Sequence, residues 1–238
     1  MIPPKWNELT PELQSKFRIN DTIPKEHWYI DDSKTYNKKK YDVDEINKLI
    51  YKAKSKNTYY YGKTDTWLYK ALDTISINNK KVAVVGSLCP WYEAIVIAYG
   101  GIPVTIDYNI PDYNHPNISL ISLVQIQKEK MLFDYIVSIS SIEHDGLGRY
   151  GDPIDPDGDI RAMNEMRNFL NPNGLLFLAV PIGIDMIVWN AHRIYGNKRF
   201  PELIKDWEVV SKFGYDETII NTSSENSLSP DQPVIVLK

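Results

Sequence analysis

The spacing of apolar residues changes along the chain. In "DVDEINKLIYKAKSK", Val43, Ile46, Ile50 and Ala53 recur at helical intervals, with acids at the start and lysines at the end as the helix dipole favours. In "YYYGKTDTWLYKALDTIS", Gly62 breaks the pattern, Thr64 or Asp65 can cap, and Trp67, Leu68, Ala71, Leu72 and Ile75 form a second stripe. From Lys81 onward the apolar residues come in short runs. "KVAVVG" (81–86), "IPVTIDYN" (102–109), "ISLISL" (118–123), "FDYIVSIS" (133–140) and "LLFLAVP" (175–181) read as strands. Helices are expected over 90–101, opened by Pro90 and stopped by a glycine pair, and over 160–170, ended by "NPNG". "RFPELIKD" reads as a short helix, and "WEVVSKFGY" and "PVIVLK" as two closing strands.

Strands alternating with helices imply an α/β fold: a Rossmann-like, seven-stranded, mostly parallel sheet with an antiparallel last strand and helices on both faces. Ligands of such sheets sit at the carboxyl ends of the strands. The loops after Val85, Ile106, Ile139 and Val180 are therefore the ones expected to carry function. Residues 1–58 read as an N-terminal arm and helix, and 59–238 as the main domain. The first 40 residues show little periodicity, and their run Lys38-Lys39-Lys40 reads as a solvated turn.

Composition narrows the function classes. The chain has 238 residues, 43% of them hydrophobic, and a net charge of -4. It is long enough for a sizeable core, and no basic excess points to nucleic acid. The single cysteine, Cys89, excludes an internal disulfide and a multi-cysteine metal site. There is no signal-peptide pattern and no apolar run long enough to span a bilayer, so a cytoplasmic protein is expected.

Three loops carry candidate chemistry. "VVGSLCPWYE" has one glycine, Gly86, where a dinucleotide fold would show three, so a pyrophosphate at this turn is not expected and a nicotinamide enzyme is disfavoured. Asp107 ends the next strand, 21 positions on, where an acid can accept from both hydroxyls of a ribose. "SSIEHDGLGRYGDPIDPDGD" (140–159) holds six acids and four glycines. A calcium-loop alignment of Asp155, Asp157 and Asp159 fails, because Ile160 stands where glycine is needed and Met166 where the last glutamate belongs. A magnesium site through Glu143, Asp152 or Asp155 stays open but is not favoured. The other reading is a glycine-shaped roof over an acceptor site, with Asp157 or Asp159 capping the next helix.

The order of these features resembles class I S-adenosylmethionine-dependent methyltransferases: a glycine turn, an apolar helix, an acidic strand end, "FDYIVSISSIEH", then "LNPNG" before an apolar strand. More narrowly, "YGKTDTWLYKAL", "VVGSLCPWYEAI", the 133–159 segment and "IVWNAHRIYG" resemble domain-of-unknown-function family 268. Similar domains form the C-terminal methyltransferase module of glycan-synthesis proteins of large algal viruses. The resemblance implies S-adenosylmethionine as cofactor and O-methylation of a sugar hydroxyl, such as that of rhamnose in a glycan. It implies cofactor contacts from Gly86, Ser87, Trp91, Asp107, Tyr108 and Ser140. The acid usual two positions before the first glycine is here Val84; Glu93, Tyr61 or Asp65 are the candidates to compensate.

A hydroxyl acceptor needs a base within reach. Of four histidines, His27 and His115 lie away from the functional rim, whereas His144 and His192 follow strands four and five. His144 is taken as base with Glu143 orienting it, and His192 as the alternative. Asp145, Arg149, Tyr150, Asp152, Trp189, Arg193 and Tyr195 are assigned to the acceptor, a small molecule or glycan. The weakened first motif also admits another class: a catalytically silent fold serving as a binding or assembly module.

Overall fold

In the computed structural model, residues 2–32, 40–221 and 228–238 are described. Lys38 and Lys39 lie outside them, while Lys40 pairs with Asp112 at the surface. The central sheet has seven strands: β2 (Lys81–Val85), β3 (Ile102–Ile106), β4 (Ser119–Ile121), β5 (Phe133–Ile139), β6 (Leu170–Ala179), β9 (Val209–Phe213) and β10 (Val234–Leu237). Their order is β4-β3-β2-β5-β6-β10-β9. β10 runs antiparallel to both of its neighbours, β6 and β9. The order reverses between β2 and β5, and this switch point opens a crevice above their carboxyl ends.

Alternation along each strand decides which face each residue serves. Val82 and Val84 pack with α2 (Val43–Lys54), α3 (Lys63–Thr74) and α4 (Trp91–Ala98). Ala83, Ile136 and Leu178 face the other way, onto α5 (Leu123–Glu129), α6 (Gly158–Asn168) and α7 (Arg199–Leu203). α2 starts at a reciprocal cap: Asp42 accepts from the Glu45 backbone N–H at 2.8 Å, and Glu45 accepts from that of Asp42 at 3.2 Å. α6 differs from expectation at its start. Asp157 sits at the cap position without a side-chain bond to the helix. Asp159 is fully buried and answers Arg199 instead. Nor does Asp65 cap α3: Gly62 holds that position.

Five elements have no clear sequence signal. α1 (Pro11–Phe17) and β1 (Lys25–Trp28) lie in the arm, and α5 follows β4. β7 (Met186–Asn190) and β8 (His192–Ile194) form an antiparallel pair that β1 joins by parallel pairing with β7. The arm is thus stitched into a small second sheet. Its apolar residues Leu9 and Phe17 close on Leu147, Ile187 and Trp189.

Candidate active site

A cavity of about 600 Å³ opens at the carboxyl ends of β2, β3, β5 and β6. That volume is in the range of small-molecule sites. Two loops meet at its centre. Gly86 follows β2 with φ +71°, and a side-chain carbon there would fall 1.9 Å from Ser141 Oγ and 2.5 Å from Ser141 Cβ. Only glycine combines this backbone shape with so close an approach. The loop after β5 therefore rests directly on the glycine turn.

Beneath the turn, Glu93 is wholly buried. Its carboxyl accepts from Ser87 Oγ at 2.9 Å and from Thr105 Oγ1 at 2.6 Å. Burial pushes it up to about 7, against the lowering effect of those hydroxyls. Ser87 lines the cavity and Glu93 does not; Glu93 holds the loop from beneath through Ser87. Asp65 behaves similarly. Its Oδ2 accepts from the backbone N–H groups of Tyr59 and Tyr60 at 2.8 and 3.3 Å, which positions Tyr60 and Tyr61 on the wall. Burial holds the Tyr61 phenol up at about 12, so it stays protonated. Trp91 is buried at the base, and Tyr59 packs on it at 5.3 Å. At the far side Asp107 lines the cavity and its Oδ1 accepts from the Asn109 N–H at 2.6 Å; Tyr108 beside it is largely exposed.

The opposite wall comes from the acidic loop. His144 Nδ1 lies 2.6 Å from the Ala191 carbonyl. A carbonyl only accepts, so Nδ1 carries the proton and Nε2 keeps its lone pair. Burial and the nearby Arg149 cation hold His144 down at about 3, and it is neutral near pH 7. His192 is tied the other way round: its Nε2 donates to the Leu228 carbonyl at 2.7 Å, and burial lowers it too. Both rings line the cavity, 6.3 Å apart. Glu143 Oε1 accepts from Ser140 Oγ at 2.6 Å and lies 3.7 Å from His144 Nε2, beyond hydrogen-bond reach. The Ala191 carbonyl, not Glu143, orients His144.

The remaining assigned residues divide in two. Asp145, Arg149, Tyr150 and Asp152 line the cavity. Arg149 also donates to Asp32 at 2.8 Å, tying the arm to the loop. Trp189, Arg193 and Tyr195 are away from the cavity. Trp189 is the centre of the arm's aromatic cluster, between Trp6 and Phe17. Arg193 laces the acidic loop from beneath, donating to the carbonyls of Asp145 at 2.6 Å and Asp155 at 3.1 Å. Tyr195 donates to the buried Asp159 at 3.1 Å. Two of the loop's aspartates are also spent. Asp152 accepts from the N–H groups of Gly146, Gly148 and Tyr150, and Asp155 from the Asp157 N–H and from Arg161. Among the described residues no group of three His, Cys, Asp or Glu side chains has metal-ligating proximity, and the magnesium alternative gains no support.

Trp28, Ser229 and Gln232 are among the wall residues that sequence reasoning passed over. Trp28 comes from β1, in the arm that read as irregular, and packs edge-on against His192 at 5.9 Å. Gln232 and Ser229 precede the last strand, a stretch with no motif. Neither place carried a local signal.

Comparison with solved structures shows the fold first. The chain has the fold of S-adenosylmethionine-dependent methyltransferases. It aligns over 74% of its length with 78% of 1,6-didemethyltoxoflavin-N1-methyltransferase from Burkholderia thailandensis, solved with 1,6-didemethyltoxoflavin and S-adenosylhomocysteine, at 12% identity and a TM-score of 0.54. A TehB-like S-adenosylmethionine-dependent methyltransferase from Corynebacterium glutamicum aligns over 82% of this chain and 96% of its own, at 16% identity and TM-score 0.47. A Streptococcus mutans protein aligns with 75% of this chain, at 12% identity and TM-score 0.47, but the chain spans only 49% of that protein's length. The chain belongs to the DUF268 family, described as Caenorhabditis protein of unknown function, whose model matches residues 79–234. Comparison with curated proteins finds no match. Among the described residues no helix is long and apolar enough to cross a membrane.

Proposed function

We propose that this chain transfers a methyl group from S-adenosylmethionine to a hydroxyl of a small polar acceptor, a deoxysugar such as rhamnose being the class its sequence resemblance implies. The observation that carries this reading is His144: a neutral imidazole on the cavity wall, held in one tautomer, with its lone pair on Nε2.

The residues of the wall fit the cofactor. Two buried acceptor atoms on it, Glu143 Oε2 and Gln232 Oε1, have no partner among the described residues. An unmet buried acceptor is costly, and a ligand rich in N–H and O–H donors relieves it. Gly86, Ser87 and Trp91 would border the cofactor at the turn, Asp107 its ribose, and Tyr61 and Ser140 its reacting end. When bound, the cofactor supplies a methyl group made electrophilic by its sulfonium.

The protein's own work is then orientation and proton transfer. Trp28, Arg149 and Tyr150 would hold the acceptor under the roof of the acidic loop. The acceptor oxygen would be aligned with the methyl group that the cofactor supplies, its sulfur leaving as the thioether, and His144 Nε2 would take the hydroxyl proton. Burial makes His144 a weak base, and the Glu143 carboxylate at 3.7 Å would stabilise the imidazolium as it forms.

The test is the His144→Ala variant. Turnover with a rhamnoside acceptor falls roughly 10²–10⁴-fold while S-adenosylhomocysteine affinity is kept. Unchanged turnover in a folded variant removes His144 from the mechanism. Calorimetry that finds no S-adenosylhomocysteine binding by the native protein removes the methyltransferase reading and returns the chain to a binding or assembly role.

A further inference from the structure

The buried Asp159–Arg199–Arg193–Tyr195 network is internally paired and does not line the cavity. Among the described residues two buried charge-bearing side chains keep an atom without a hydrogen-bond partner: Arg167, whose guanidinium lies over the Trp207 ring, and, on the cavity wall, Glu143. Its side chain is about 1% exposed and lines the cavity. Oε1 is held by the Ser140 hydroxyl, and Oε2 meets nothing among the described residues. Ser140 Oγ also accepts from Gln232 Nε2 at 3.1 Å, so Gln232, whose Oε1 is likewise unmet, is fixed beside it.

The two vacant acceptors are therefore held in one place by one hydroxyl. A hydroxyl or water would answer their hydrogen-bonding need but not the charge of a buried carboxylate, which requires a cation. The protein's own cations give it no hydrogen bond: Arg149 acts on it only through its charge and is engaged by Asp32, and Arg193 is engaged by loop carbonyls. Of the other acids of the loop that line the cavity, Asp152 and Asp155 already accept from the loop itself, and Asp145 feels the charge of Arg193. Where an acid ordinarily precedes the glycine turn, this chain has Val84, buried in the core. The Glu143 loop touches that same turn through Ser141 and Gly86.

Resting on the methyltransferase reading, we propose that the Glu143 carboxylate, with the Gln232 amide oxygen, binds the ammonium group of the cofactor's amino-acid arm. Glu143 thus supplies from the loop after β5 the negative charge that the first loop lacks. Its vacant oxygen would face a cationic N–H donor, and its ionised form would be stabilised further when that donor arrives.

Two probes separate this assignment from the reading beneath it. S-adenosylhomocysteine carries the ammonium; 5′-methylthioadenosine has the same nucleoside and sulfur but no amino-acid arm. Calorimetry is expected to show Glu143→Gln weakening S-adenosylhomocysteine binding roughly 10- to 100-fold, as for a charge-assisted contact, with 5′-methylthioadenosine affinity within about twofold of the native protein. Retained binding of the second probe also certifies the fold. Should the variant fail to fold, the native protein gives a second readout. The groups facing Glu143 are Tyr61, Ser140, His144, Asp145, Arg149, Tyr150 and Tyr195. Burial pushes Glu143 up to about 7, so near pH 6 it binds the ammonium by releasing a proton, seen as buffer-dependent heat with S-adenosylhomocysteine and not with 5′-methylthioadenosine. Equal losses for both probes, or unchanged affinity for both, overturn the Glu143 assignment alone. A native protein that binds neither overturns it together with the methyltransferase reading.

Discussion

At the scale of single residues, burial rather than charge pairing sets the chemistry of this site. Glu93 and Glu143 are both raised to about 7, and His144 is lowered to about 3, with desolvation the largest cause in each. Glu93 gives the cleanest test because it sits off the cavity, facing only Ser87, Thr105 and the charge of Asp107. The folded protein keeps its proton up to about pH 7, whereas the unfolded chain releases it near 4.5. Between those values the folded state binds more protons, so stability falls as pH rises through the window. Glu93→Gln is expected to remove up to about 3 kcal/mol of that decline. Urea denaturation of both proteins at pH 5 and pH 8 measures it; parallel curves would refute a raised Glu93.

At the scale of elements, the acidic loop is a self-supporting unit rather than a flexible cover. Gly146 turns with φ +81° where a side-chain carbon would lie 2.0 Å from the Asp155 carbonyl oxygen. Asp152 gathers three backbone N–H groups, at 2.8, 3.0 and 3.2 Å. Asp152→Ala leaves those donors without their acceptor and is expected to cost about 1–3 kcal/mol in chemical denaturation. Asp152→Asn, which keeps one oxygen for the shared pair of bonds, should recover part of that loss. The acids that suggest a cation in the sequence are thus mostly loop fasteners. Spacing alone could not separate the two, because a carboxylate that accepts from backbone and one that ligates a metal look alike until the backbone turns are known.

Across the whole molecule, the arm is built into the site. β1 pairs with β7, Asp32 holds Arg149, and Trp28 stands on the cavity wall. Trp189 anchors this arrangement: it is fully buried, flanked by Trp6 and Phe17, and donates to the Pro4 carbonyl at 3.1 Å. Trp189→Ala is expected to cost about 3–5 kcal/mol and to speed amide hydrogen exchange through residues 2–28 before the central sheet opens. Uniform exchange across the chain would show that the arm and the sheet unfold as one unit.

The apolar periodicity of the chain determined the central sheet, its helices and the rim where ligands belong. Those patterns are local: alternate residues of Lys81–Val85 must face opposite ways whatever lies beyond. The glycine at 86 and the acid at 107 were legible for the same reason, as each ends a strand. Tertiary structure decided the partners. It sent Arg193 and Tyr195 under the loop, Trp189 into the arm's core, and Trp28 and Gln232 onto the wall. It also set the tautomer of His144 through a carbonyl 47 residues away and left Glu143 with one unmet oxygen. Such contacts join residues far apart in the chain, where packing and hydrogen-bond satisfaction, not spacing, determine which groups meet.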